Sequence, residues 1–185
     1  MPLAPPPTRA PKMTQLIEIA KPPEIPDRLK RVLRFTPAPV SIVTSFDEFG
    51  EPVGLAMSAI MPVALEPCSM AISINRDGSA YRHVRAAGLF CVNLLNSATE
   101  PHFRPFCDPR LREQRFKDPA WKVHEGLWYL DDAPASIFCR IEQVAQYGTH
   151  DVVIGKVFDM FSSGDQDILG WGDGSLGRLL PVTPH

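Results

Sequence analysis

Short runs of β-branched and apolar residues recur along this chain. Val40–Phe46, Met61–Leu65, Met70–Ile74, Phe90–Leu95, Ile137–Gln146 and Asp151–Phe158 each carry strand composition. Tight turns join several of them. Asp47-Glu48-Phe49-Gly50 reads as a hairpin leading into a returning strand from Pro52, and Tyr147-Gly148-Thr149-His150 as another. The βαβ rhythm of a parallel sheet does not repeat. The pattern therefore predicts a mainly β fold, an antiparallel barrel with peripheral short helices.

Helix signals are few. Asp27 is placed to cap a segment whose Leu29, Val32, Leu33 and Phe35 form one apolar face. Ser79 is placed to cap Ala80–Ala87, which stops at Gly88 in the C′ position. A helical patch is expected around Leu111–Phe116, a short strand at Trp121–Val123, and a loop over Leu127–Pro134 carrying Trp128 and Tyr129. Residues 162–177 read as a Gly-, Asp- and Ser-rich stretch with Leu169 and Trp171 inside it.

Of 20 prolines, eight precede Asp27, so residues 1–25 are expected to form an extended arm and residues 26–181 the domain. Met13–Ala20 is the one part of the arm with a folding pattern. A formal charge of -2 gives no footprint for nucleic acid. No apolar run approaches the ~20 residues of a membrane span, and no secretory leader is visible at the N-terminus. The cysteines Cys68, Cys91, Cys107 and Cys139 show no metal-ligand spacing. They read as reduced, buried small hydrophobes in a cytoplasmic protein.

The richest stretch for chemistry is Gly54–Ser79. Two small-residue turns, Gly54–Ala59 and Asn75–Ser79, flank an apolar strand segment. Their N–H groups and hydroxyls, with the Arg76 guanidinium, form a candidate cradle for an anionic ligand. The alternatives are a barrel corner at Ala56-Met57-Ser58-Ala59 and a plain strand–turn–helix at Asn75-Arg76-Asp77-Gly78-Ser79. Asn93, inside the apolar strand Phe90–Leu95, must find either backbone partners or a ligand edge. His150, at the head of an apolar strand, is a candidate nicotinamide contact or proton donor, or a turn histidine bonding the backbone. Neither GxSxG nor a Rossmann GxGxxG occurs.

Taken in order, these blocks resemble the short-chain flavin reductases with an FMN-binding split barrel, the small components of two-component flavin monooxygenases such as the hydroxyphenylacetate 3-monooxygenase reductase. The resemblance runs from about Arg31 to Leu180. It rests on Pro39–Thr44, Gly54–Val63, Ser73–Arg76 with Ser79-Ala80, Gly88–Leu95, Arg115-Phe116 with Trp121, Gly148–Val152, and Gly174–Leu176. Ala56 and Met57 stand where the family has Thr and Ala, Asp77-Gly78 where it often has Ser or Lys, and Leu176 where an aromatic is usual.

The resemblance implies a homodimer that binds FMN (or FAD) and uses NADH or NADPH as hydride donor, with a separate flavin-dependent monooxygenase as partner. Carried over, Ala56, Met57, Ser58 and Ala59 would face the isoalloxazine. Asn75, Arg76 and Ser79 would serve the ribityl-phosphate end, Cys91 and Asn93 would lie near the ring, and His150 would help place the nicotinamide. Two alternatives stay open. One is a flavin-binding protein on the same barrel that is not a diffusible-flavin reductase (an electron carrier or a flavoenzyme with its own substrate). The other is a binding module without flavin.

Overall fold

A computed structural model describes residues 24–164 and 167–178. The Met13–Ala20 segment and the rest of the arm up to residue 23, like Leu179-Leu180 and the Pro-rich tip, lie outside the described residues. The chain divides into two compact units, Met1–Leu33 and Arg34–His185. Of the first, residues 24–33 are described. Residues 25–33 of these belong to helix α1 (Ile25–Arg34), which begins three residues earlier than a helix capped by Asp27 would. Pro26 fits the first turn, where no N–H is required of it, and Asp27 lies inside that turn rather than at the cap. Its carboxylate there complements the positive end of the helix.

The described residues of the larger unit form twelve strands, two further α-helices and one 3-10 helix. In chain order they are β1 (Ala38–Pro39), β2 (Ser41–Phe46), β3 (Pro52–Met57), β4 (Ile60–Leu65), β5 (Cys68–Asn75), α2 (Tyr81–Ala87), β6 (Leu89–Leu94), α3 (Glu100–Cys107), the 3-10 helix Pro109–Gln114, β7 (Trp121–His124), β8 (Leu127–Leu130), β9 (Ala135–Tyr147), β10 (His150–Ser162), β11 (Leu169–Gly172) and β12 (Ser175–Arg178). Seven strands make one antiparallel sheet in the order β3-β2-β6-β9-β10-β5-β4.

That order forces curvature. The two edge strands, β3 and β4, are joined by Ser58 and Ala59 alone. Three peptide steps reach at most ~11 Å, whereas the edges of a flat seven-stranded sheet would stand about 29 Å apart. The sheet must therefore roll until its edges meet at this link. The result is the antiparallel split barrel predicted from the strand pattern.

Both faces of the sheet are covered, which explains why β2 is buried along nearly its whole length. Val43 points into one cluster with Ile72, Phe90, Val92 and Val153. Its neighbour Ile42 points the other way, into a cluster with Val40, Leu95, Phe106, Trp121 and Leu130. Each such side chain contributes about 1.5–3 kcal/mol of hydrophobic stabilisation. The second cluster is roofed by α3 and the β7–β8 hairpin. Gly88 ends α2 in the left-handed conformation expected of it (φ 66°).

Several local expectations change. Gly54–Met57 is the end of strand β3, and only Ser58-Ala59 forms the connection. Glycine at 54 answers to close packing: a Cβ there would lie 2.8 Å from Phe106 Cε1. Leu127–Leu130 is a strand, since Leu127 and Leu130 are both buried and pair with β7 across the Glu125-Gly126 turn. Helix α3 escapes the sequence reading because Pro101 and Pro105 look like breakers, although Pro101 sits at the helix start where proline is tolerated. The glycine-rich stretch near the C-terminus holds the β11–β12 hairpin. Only Cys91 and Cys139 are buried; Cys68 and Cys107, beside a turn and at a helix end, are exposed.

Candidate functional site

The sheet register gathers several of the sequence-predicted residues at one end of β5 and β10. Asn75, the last residue of β5, pairs directly with His150, the first of β10. Ala59 accepts a hydrogen bond from Ser73 N at 2.9 Å, so the Ser58-Ala59 link runs alongside the same end of β5. Ser79 follows four residues after Asn75, on the turn into α2. Ser58, Ala59, Asn75, Arg76, Ser79 and His150 are all exposed. Met57 is different. It is buried, and its side chain belongs to the barrel interior. Ala56 is half-buried against the outer cluster.

The turn after β5 is held from within. Asn75 Oδ1 accepts the Asp77 N–H at 3.0 Å, and the Asn75 carbonyl accepts the Gly78 N–H at 3.0 Å. This is the local side-chain-to-backbone bonding that favours Asn at such turns. Ser79 does not cap α2: the N-cap residue is Ala80, with no side-chain cap bond. The Ser79 hydroxyl instead accepts a hydrogen bond from Arg112 Nη2 at 3.1 Å. His150 is oriented by a 2.9 Å contact between its Nδ1 and Thr149 Oγ1.

Behind this rim lies a buried charge. Asp151 is fully buried. Its Oδ2 accepts the Tyr81 hydroxyl at 2.8 Å, and the Nε atoms of Arg76 and Arg85 each stand 3.9 Å from one of its oxygens. Arg76 also donates through Nη2 to the Gly148 carbonyl, while its backbone N–H donates to Thr149 O at 3.1 Å. The turn after β5 is thereby tied to the β9–β10 turn that carries His150. Asp151, Tyr81, Arg85 and Arg112 are not among the residues the sequence singles out. A carboxylate opening the apolar run Asp151-Val152-Val153-Ile154 was the available signal for the first three, because a buried charge must be paired. Arg112 had no local signal.

Cys91 and Asn93 lie away from this rim, inside the sheet. Both are fully buried. Asn93 Nδ2 donates to Ile42 O at 3.0 Å, and its Oδ1 accepts from Leu130 N and Ser136 Oγ, each at 2.9 Å. The amide stitches β2, β6, β8 and β9 together, so the internal partners left open by the sequence are the ones realised. Cys91 packs with Leu127 and Phe138. Burial drives its thiol pKa well above the usual value, and burial raises that of Cys139 to about 12. Neither is a thiolate at neutral pH.

Two concavities flank the link and the rim. One, about 240 Å³, is mainly apolar and lined by Ala56, Met57, Ser58, Phe103 and Trp171, with Cys107 at its wall. The other, about 420 Å³, lies between β3, the start of α2 and the segment 112–117; Gly54, Ser79, Arg112, Phe116 and Trp128 line it. Packing of Phe106 and Phe116 over Gly54 shapes its floor. An apolar slot beside small residues suits the edge of a flat ring, and a hydroxyl with a guanidinium suits a phosphate. The donor set thus fits a flavin nucleotide.

Residues 33–179 match the family described as "Flavin reductase like domain". The chain belongs to this family of flavin reductase-like proteins. It is 36% identical over 134 residues to a protein named FMN reductase (NADH) RutF from Agrobacterium fabrum, covering 71% of this chain and 76% of that one. A protein of the same name from Bradyrhizobium diazoefficiens is 35% identical over 133 residues, covering 71% and 73%. Among solved structures, the fold is similar to the NADH:FAD oxidoreductase SgcE6 of Streptomyces globisporus, with TM-score 0.77 and 23% identity over 98% of this chain and 97% of that one. It is also similar to the styrene monooxygenase flavin reductase of Pseudomonas putida, with TM-score 0.74 and 19% identity over 84% and 99%.

Proposed function

We propose that this protein is an NADH-dependent flavin reductase that supplies reduced FMN to a separate flavin-dependent monooxygenase. The convergence of Ser58-Ala59, Asn75, Ser79 and His150 at one end of the rolled sheet carries the reading, together with family membership. A bound flavin supplies a ring that accepts hydride from a reduced nicotinamide. The protein's part is to hold two flat groups together and exclude alternatives. Ala56 and Ser58, with Met57 behind them, offer the apolar slot. Ser79 offers a hydroxyl to the anionic end. His150, steadied by Thr149, contacts the nicotinamide. FAD is an admissible second acceptor, and NADPH a second donor.

The working form is a homodimer in the cytoplasm. Exposed apolar side chains on edge strand β4, Met61, Val63 and Leu65, support a covered edge there. Among the described residues, no helix is long and apolar enough to cross a membrane.

The test is NADH oxidation by the purified protein with and without added FMN. Oxidation that rises with FMN and saturates is expected. Absence of flavin-dependent oxidation with either NADH or NADPH overturns the proposal.

A further inference from the structure

Asp151 is a charge placed where an apolar side chain would pack. The residue is fully buried, and its Oδ1 has no hydrogen-bond partner among the described residues. Replacing a buried ion pair by apolar side chains of similar volume is often neutral or stabilising, so stability alone does not call for a carboxylate here. Its surroundings show what it gathers. Strand alternation turns His150 outward and Asp151 inward, with Asp151 set between Gln146 of β9 and Ile74 of β5. Tyr81 and Arg85 reach it from one face of α2, four residues apart, and Arg76 from the turn before that helix.

Helix α2 has seven residues and one buried side chain, Val84, so it depends on what it is tied to. The Asp151 carboxylate is one such tie, and through Arg76 it also draws in the turn before the helix. The Arg76 guanidinium stands 3.9 Å from Oδ1 and donates to the Gly148 carbonyl, while the Arg76 N–H donates to Thr149 O at 3.1 Å. Thr149 Oγ1 in turn meets His150 Nδ1 at 2.9 Å. An unbroken route thus runs from the buried carboxylate through Arg76 and Thr149 to the imidazole. Arg76, Thr149 and His150 are exposed, so the route ends at the rim and not in the barrel interior.

We propose that Asp151 is a positioning residue: it fixes Arg76 and the β9–β10 turn so that His150 meets the nicotinamide. Arg76 is then a tie within that route rather than a cation for a ligand. The inference rests on the reductase reading and on His150 as its nicotinamide contact.

Steady-state NADH oxidation with FMN is measured for the wild type, Asp151→Asn, Arg76→Gln and His150→Ala, and for Asp151→Asn and Arg76→Gln each combined with His150→Ala. Arg110→Ala, which alters only an exposed pair with Asp108, serves as the control and keeps the wild-type values. Asp151→Asn retains the shape of the side chain and an acceptor for the Tyr81 hydroxyl. Should it unfold, Arg76→Gln, on an exposed side chain, carries the test alone. Each of the two is expected to lower kcat/KM for NADH about tenfold, with KM for FMN changed by less than about twofold. In the His150→Ala background either should cost less than about twofold, because residues along one route couple whereas independent sites add. Full additive losses in that background overturn the proposal. So does Arg76→Gln raising KM for FMN with NADH kinetics unchanged, which would return Arg76 to the ligand. If the wild type shows no flavin-dependent oxidation with either nicotinamide, the reductase reading fails by itself. The positioning of His150 is then read without turnover, from the ring resonances of a histidine-labelled sample, assigned by their loss in His150→Ala. They are expected to shift in Arg76→Gln while those of His102 and His124 hold still, and an unmoved His150 ring overturns the proposal.

Discussion

Asn75 and Asn93 make an instructive pair. Both lie on strands of the same sheet, and the family resemblance placed both beside the flavin. Asn93 sits where β2, β6, β8 and β9 meet, with its amide oxygen accepting two hydrogen bonds of 2.9 Å and no solvent exposure. Asn75 sits at an exposed strand end, shaping a turn and pairing with His150. The interior asparagine specifies the fold, whereas the rim asparagine shapes the place where a ligand can land. The same residue type in adjoining sequence blocks thus serves opposite ends, and tertiary environment separates them.

The sharpest way to break this contrast is to remove the interior amide. Asn93→Leu strands Leu130 N, Ser136 Oγ and Ile42 O without their partner. It is expected to cost about 3–5 kcal/mol in chemical denaturation. A loss below about 1 kcal/mol, accompanied by a raised KM for FMN, would move Asn93 from the scaffold to the ligand site. The rim should answer in the reverse sense. His150→Ala is expected to lower kcat/KM for NADH by about tenfold to a hundredfold through lost positioning, with stability changed by no more than about 0.5 kcal/mol. A folding defect of the interior size at His150 would erase the distinction.

The smallest effect concerns the interior thiols. Cys68 and Cys107 are expected to react with a thiol reagent in the native protein, and Cys91 and Cys139 only after unfolding. Burial holds the Cys139 thiol protonated up to about 12, against 9.0 for an ordinary thiol. Its folded pKa is raised, so the stability it contributes is fully present below pH 9.0 and is lost as pH climbs toward 12. The expected decline is about 1 kcal/mol per pH unit across that window. Cys139→Ala should make the decline shallower, leaving the part due to the buried Cys91 thiol, and an unchanged slope in that variant would exclude Cys139 as a cause.

The strands were legible because each carries the composition of a surface buried on one or both faces. Val43 and Ile42 announce β2 without help from any partner. The α2 stop at Gly88 was legible for a similar reason, since a left-handed residue at a helix end favours glycine on backbone grounds alone. By contrast, β8 and the β11–β12 hairpin look irregular in the sequence. Each strand is four residues long, too short for alternation to stand out, and depends on backbone pairing with a neighbour.

The site divides along the same line. Ser58, Ala59, Asn75, Ser79 and His150 could be singled out from small-residue turns and matching blocks, because those features are local. Arg76 was singled out too, since its charge is visible in one dimension, but its commitment to Asp151 and Gly148 is not. Arg112 stands 33 positions from Ser79, in a polar stretch with nothing to mark it. The sequence by itself determined an antiparallel barrel and the turns that rim it, because burial pattern and turn chemistry are properties of neighbouring residues. Only the tertiary structure decided which arginine is a tie and which faces the cleft, because charge pairing depends on distances that exist after the sheet has rolled.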